Sequence, residues 1–196
     1  MMRILEQISL TWASDSITSA CLILLALLSF GGPAAAETVF LTPKEALKVF
    51  FQNSEQVVSE KKEITGDLKG KIEKSLGYSL SREGVTFYLG KTKGHVDGYA
   101  LIDNEIGKTE PITFMTVMTP QGEVRAVEIL VYRESHGGEV KSKRFLKQFE
   151  SKKQRDPIRV GQDIDNISGA TLSARALAKG VKRGVTFWKA FYGGGL

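Results

Sequence analysis

Ile112-Thr113-Phe114-Met115-Thr116-Val117-Met118, followed by Val124-Arg125-Ala126-Val127-Glu128-Ile129-Leu130-Val131-Tyr132, is the stretch that decides the fold. Both runs are rich in β-branched and aromatic residues, and Pro120-Gln121-Gly122 between them supplies turn chemistry. Together they predict an antiparallel hairpin. Val124, Val127, Ile129 and Val131 nearly alternate with charged neighbours, as on a sheet with one solvated face. Upstream, Val85–Leu89 and Tyr99–Ile102 read as two further strands, with Gly94-His95-Val96-Asp97-Gly98 as the turn between them. A meander of about four strands with helices packed on it places the chain in the α+β class, as a small antiparallel sheet.

Helix signals flank the sheet. Thr42-Pro43-Lys44-Glu45 combines a hydroxyl cap, proline at the first helical position and glutamate in the first turn. The chain between Val57 and Gly77 is polar and yields one short helix, Asp67–Leu76, ended by Gly77. After the hairpin come a polar loop, Arg133-Glu134-Ser135-His136-Gly137-Gly138, a short helix near Lys143–Phe149, and a turn at Arg155-Asp156-Pro157-Ile158. The last helix carries Leu177, Val181, Val185 and Trp188 on one stripe. Gly180 and Gly184 each weaken it by roughly 1 kcal/mol relative to alanine, so packing must hold it. Trp188 reads as core.

The 196 residues suffice for one ordinary domain with a core. The net charge of +5 comes from basic residues interleaved with acidic ones, which describes a solvated surface and not a nucleic-acid site. Ala20–Phe30 is an uncharged apolar run, broken by Gly31-Gly32-Pro33 and followed by Ala34-Ala35-Ala36. It reads as a signal peptide cleaved after Ala36, so the expected location is the periplasm; an uncleaved membrane anchor is the alternative. The one cysteine, Cys21, lies in that leader, so the exported chain has no disulfide, thiolate metal site or cysteine nucleophile. Two histidines, His95 and His136, are too few for a dedicated zinc site. The division expected is a signal peptide over 1–36, an N-terminal helical extension over 37–84 packed on the domain, and the domain itself over 85–196.

Asp165-Asn166-Ile167-Ser168-Gly169-Ala170-Thr171 leads directly into the last helix. Small residues there bring a threonine hydroxyl to a helix start, where unpartnered N–H groups and the helix dipole favour an anion. This segment resembles the flavinylation motif of FMN-binding domains, found in the flavin subunits of Rnf and Nqr complexes and in nitrous-oxide-reductase regulatory proteins. The family pattern is Asp, two variable residues, Ser or Thr, Gly or Ser, then Ala-Thr, and every fixed position matches. Gly98–Asn104, Gly107-Lys108, Pro111–Phe114 and Tyr132–Gly137 resemble further blocks of the same domain.

The resemblance implies a single FMN-binding domain with FMN joined through its phosphate to Thr171 by a flavin transferase. Asp165, Ser168, Gly169, Ala170 and Leu172 would surround the attachment point, and Glu134, His136 and Gly137 would form a second cofactor-binding segment. Glu134 and His136 read either as a proton-transfer pair or as an ordinary polar turn. Ser173 is a neighbouring hydroxyl, and Thr171 is also open to a purely capping role. The implied function is an exported electron carrier working with redox proteins at or near the membrane. The alternatives are an FMN-dependent reductase of a small acceptor and a binding module without flavin.

Overall fold

The hairpin anchors the observed sheet. A computed structural model describes residues 38–196; the leader and Cys21 lie outside the described residues. Six strands, β1 (Thr38–Val39), β2 (Gln56–Glu63), β3 (Gly84–Thr92), β4 (His95–Ile106), β5 (Pro111–Met118) and β6 (Val124–Tyr132), form one antiparallel sheet in the order β1-β6-β5-β4-β3-β2. The helices are α1 (Pro43–Phe50), α2 (Gly66–Leu76), α3 (Lys143–Leu146), which runs into a 3-10 turn at Lys147–Phe149, and α4 (Thr171–Phe191). The fold is α+β, as the sequence predicts.

The start of α1 follows the sequence signal closely. Thr42 and Glu45 form a capping box, with the Thr42 N–H donating to Glu45 Oε2 at 2.8 Å and the Glu45 N–H to Thr42 Oγ1 at 3.3 Å. The β5–β6 turn closes as expected, with Gly122 at φ +79 and its N–H bonded to the Thr119 carbonyl at 3.0 Å.

Two local readings change. The β3–β4 turn is Lys93-Gly94, both at positive φ (50 and 80), and His95–Gly98 belong to β4. Consecutive positive φ values match the right-handed twist of paired strands, so two residues suffice for the turn. Within the segment expected to be a helical extension, Gln56–Glu63 pairs along its whole length with β3. Its sheet-facing positions include Glu60 and Lys62, which pair with each other at 3.0 Å, while Glu60 also meets Lys91 and the Tyr192 hydroxyl. With Val58 as the one apolar side chain beside them, the strand gives no hydrophobic alternation. At a sheet edge those charges also discourage pairing with another chain.

Two apolar layers flank the sheet. On one face Phe87, Leu101, Phe114, Val127 and Ile129 pack against Leu177, Val181, Val185 and Phe187 of α4. On the other, Ala100, Met115, Val117 and Leu130 meet Ala46 and Phe51 at α1. β5 is therefore buried on both sides, as befits a central strand. Trp188 is 8% exposed and belongs to the core.

Close packing explains Gly180. A Cβ there would sit 2.2 Å from Cζ of Phe114, itself fully buried. Gly180→Ala should gain about 1 kcal/mol of helix propensity and lose about 1–3 kcal/mol to overpacking. We expect a net loss of about 1 kcal/mol, read as a lower urea midpoint. A raised midpoint would mean that Phe114 moves aside freely.

Candidate functional site

Ile167-Ser168-Gly169-Ala170 is a turn closed by the Ala170 N–H on the Ile167 carbonyl at 3.1 Å. Gly169 takes φ +81 at its third position, a conformation that disfavours any side chain, although nothing lies within 4 Å of a Cβ built there. Backbone conformation, not crowding, demands the glycine. Asp165, Asn166, Ser168 and Gly169 are exposed, Thr171 is half-buried, and Ala170 is buried. The Asp165 N–H donates to Gln148 Oε1 at 2.7 Å, tying the segment to the turn after α3.

Thr171 is the first residue of α4, and Ala170 occupies the cap position with no side-chain hydrogen bond. A capping role for Thr171 is therefore set aside. Its Oγ1 instead accepts a hydrogen bond from Asn166 Nδ2 at 3.0 Å. The first-turn N–H groups of α4 keep their capacity to meet an anion. Ser173, the neighbouring hydroxyl, is only 3% exposed and lies 3.0 Å from the Tyr132 hydroxyl. Thr171 is the more reachable of the two.

The loop after β6 meets this helix start through Gly137. At φ +82, a Cβ on Gly137 would approach Ser173 Oγ and the Tyr132 hydroxyl at 2.9 Å each, and Ala170 Cα at 3.5 Å. Only glycine fits there, and the fold brings Gly137 against the start of α4. The Tyr132 hydroxyl donates to the His136 carbonyl at 2.6 Å, which holds the loop through its backbone and leaves the His136 side chain exposed. Burial pushes the Tyr132 hydroxyl pKa up, so it remains a neutral donor.

Glu134 faces a different task. Its Oε1 accepts the N–H groups of Lys108, Thr109 (2.7 Å) and Glu110 (3.0 Å), and Oε2 accepts the Thr109 hydroxyl at 3.1 Å. Burial opposes its ionisation, but those N–H donors prevail and hold the carboxyl below its ordinary value. Of the two sequence readings for Glu134, the geometry displays the polar turn: the side chain closes the β4–β5 loop. Leu172 is 50% exposed beside Thr171 and offers apolar surface. Among the described residues, no group of three or more His, Cys, Asp or Glu is placed to hold a metal ion.

Sequence reasoning passed over Asn166, Tyr132 and Gln148. Asn166 lies at a variable position of the motif, and the other two act from residues that only folding brings near. No helix among the described residues is long and apolar enough to cross a membrane.

Residues 107–186 match the family model described as the FMN-binding domain, a span from the β4–β5 loop into α4 that includes the whole motif. The crystal structure of Shewanella oneidensis NqrC shares the fold, with a TM-score of 0.53 at 14% identity over 76% of this chain and 88% of that one. No curated protein matches the chain.

Proposed function

Since residues 107–186 match the model of the FMN-binding domain, we propose that the protein is an exported electron-transfer flavoprotein carrying FMN as a phosphoester on Thr171. The observation that carries this reading is the accessible Thr171 hydroxyl at an uncapped helix start, within a complete motif. Ser168 and Gly169, just before Thr171, are exposed and small enough to enter another enzyme's active site.

Attachment needs an activated donor, because direct condensation of FMN with an alcohol is unfavourable in water. A flavin transferase would present a phosphoanhydride of FMN. Thr171 Oγ1 would attack phosphorus, forming the Oγ1–P bond as the anhydride P–O bond breaks and the leaving nucleotide departs. The hydroxyl proton passes to a base of the transferase. The phosphodiester keeps one negative charge, which the first-turn N–H groups and the dipole of α4 offset. The bound flavin supplies the redox chemistry, and the chain supplies tether, orientation and field. Leu172 and the Gly137 loop flank the attachment point. The apolar leader supports export, and a covalent tether suits a compartment where a dissociable cofactor would be lost. Redox proteins at or near the membrane are the matching partners.

Intact-mass measurement of protein exported from a host with active flavin transferase tests the proposal. The expected mass is that of the chain plus one FMN less one water. Fully unmodified protein from such a host would sink it.

Asn166 should affect the rate of this modification. By donating to Thr171 Oγ1 it leaves the hydroxyl hydrogen free for the transferase and holds the oxygen in place. A hydrogen bond of about 1 kcal/mol corresponds to a roughly fivefold change in rate. Asn166→Ala should therefore be labelled about fivefold more slowly in a single-time-course mass assay, reaching the same final stoichiometry. Wild-type kinetics in that variant would remove Asn166 from the account.

A further inference from the structure

A groove of about 750 Å3 runs along α4, between the end of α2 and the loop over 155–162. Five cations line it: Arg155, Arg159, Arg175, Lys179 and Lys182, with the one carboxylate of Asp156. Two of the five are committed elsewhere. Lys179 pairs with Glu105 at 2.6 Å, and Lys182 donates to the carbonyls of Gln154 and of Asp156, the latter at 2.7 Å. Arg155, Arg159 and Arg175 make no ion pair among the described residues. Asp156, whose Oδ2 also accepts the Lys153 N–H at 2.7 Å, brings one negative charge to the groove, fewer than the three arginines supply. The C-terminal end of α2 at Gly77 adds a partial negative charge of about half a unit, against three guanidinium charges.

The loop that presents these arginines is fixed in place. Asp163 accepts the Arg159 N–H at 2.9 Å through one oxygen; through the other it accepts the Ile158 N–H at 3.1 Å and the Lys152 ammonium at 2.9 Å. Ile158 is thereby held at φ +45, a strained conformation for a β-branched residue. Burial opposes Asp163 ionisation, yet these donors hold its carboxyl below the ordinary value of 3.8, so the clamp is charged at neutral pH. Burial also holds the Lys182 ammonium below its ordinary value, which marks the groove floor as partly desolvated. Tyr78 forms a flat wall, with Lys179 Nζ 4.8 Å from its ring centre.

We propose that this groove binds a small organic molecule bearing a multivalent oxyanion, a phosphorylated or dicarboxylate compound. The volume falls within the usual size of small-molecule sites. Guanidinium forks match phosphate and carboxylate geometry and hold either bidentately. Arg175 lies one helical turn, about 6 Å, beyond Thr171 on the same face of α4, so the anion binds beside whatever Thr171 carries. The site goes beyond flavin attachment and does not depend on it.

The test is a calorimetric titration of the protein and of its Thr171→Ala variant, with inorganic pyrophosphate in one arm and benzene-1,3-dicarboxylate in the other. Saturable one-to-one binding is expected for both proteins with at least one probe, and the stronger arm identifies the anion class. Arg159→Gln/Arg175→Gln should weaken that binding at least tenfold, while Lys147→Gln, an exposed cation outside the groove, should not change it. Both arginines are exposed, and unchanged circular dichroism will show that the double variant is folded. Non-saturable binding, or full affinity in the double variant, overturns the proposal. So does a hexaglutamate peptide that binds more tightly than either probe, because that would mark the groove as a docking surface for acidic protein. Normal titration of a protein that never acquires flavin would overturn only the Thr171 ester.

Discussion

Thr171→Ala is expected to abolish flavin attachment completely: the exported variant should be colourless and show the mass of the unmodified chain. The loss should be absolute, because the bond requires a hydroxyl oxygen and methyl offers none. Ser173 cannot substitute without opening the structure, being buried against Tyr132. Ser168 is exposed but lies three residues earlier, in the turn, away from the helix start whose N–H groups would meet the phosphate. Thr171→Ser restores the hydroxyl and should restore the added mass. Folding should survive the alanine change, since Thr171 makes one side-chain hydrogen bond and caps nothing, a loss of about 1 kcal/mol at most. Flavin found on the alanine variant would move the ester to another residue and overturn the assignment.

Arg183→Met should strongly destabilise the protein. Arg183 is 5% exposed and joins the helix to β4, with Nε on Asp103 Oδ2 at 2.9 Å, one Nη on Glu105, and the other on the Asn104 carbonyl at 3.0 Å. Burial alone would lower its pKa, but Asp103 and Glu105 outweigh that and raise it, so the charge persists throughout the accessible pH range. Methionine preserves most of the volume and strands the carboxylates. Breaking a buried pair in this way costs about 3–5 kcal/mol. Arg82 remains on Asp103 at 2.6 Å and Lys179 on Glu105 at 2.6 Å, which places the expected loss near the lower limit, about 3 kcal/mol. Urea denaturation measures it. Adding Asp103→Asn and Glu105→Gln should recover part of the stability, because the uncompensated charge causes the penalty. A loss under about 1 kcal/mol would show that water reaches the pair after the substitution.

Legibility in the sequence followed the range of the interactions involved. The capping box of α1, the β5–β6 turn and the hydrophobic stripe of α4 are local, so residue type and spacing announced them. β2 escaped because two of its three half-buried positions, Glu60 and Lys62, are charged, with Glu60 balanced by Lys91 of β3 and Tyr192 at the end of α4. No periodicity can report partners supplied from elsewhere in the chain. Gly180 read as a weakness of the last helix and proved to be a fit to Phe114, from a strand more than sixty residues earlier. Glu134 read equally as a cofactor residue or a turn residue, and its carboxylate lies on the N–H groups of 108–110.

By itself the sequence determined the α+β class, the strands of the hairpin, and the Asp165–Thr171 segment on which the proposed attachment rests. These follow from composition, period and the chemistry of short contiguous segments. Tertiary structure decided which hydroxyl is reachable, since burying Ser173 against Tyr132 depends on a strand some forty residues away. It also decided that Gly137 meets Ala170 and that three arginines from two separate segments share one groove. Those arrangements arise when α4 packs across the sheet and Arg183 closes on Asp103, contacts that bring together residues no local pattern connects.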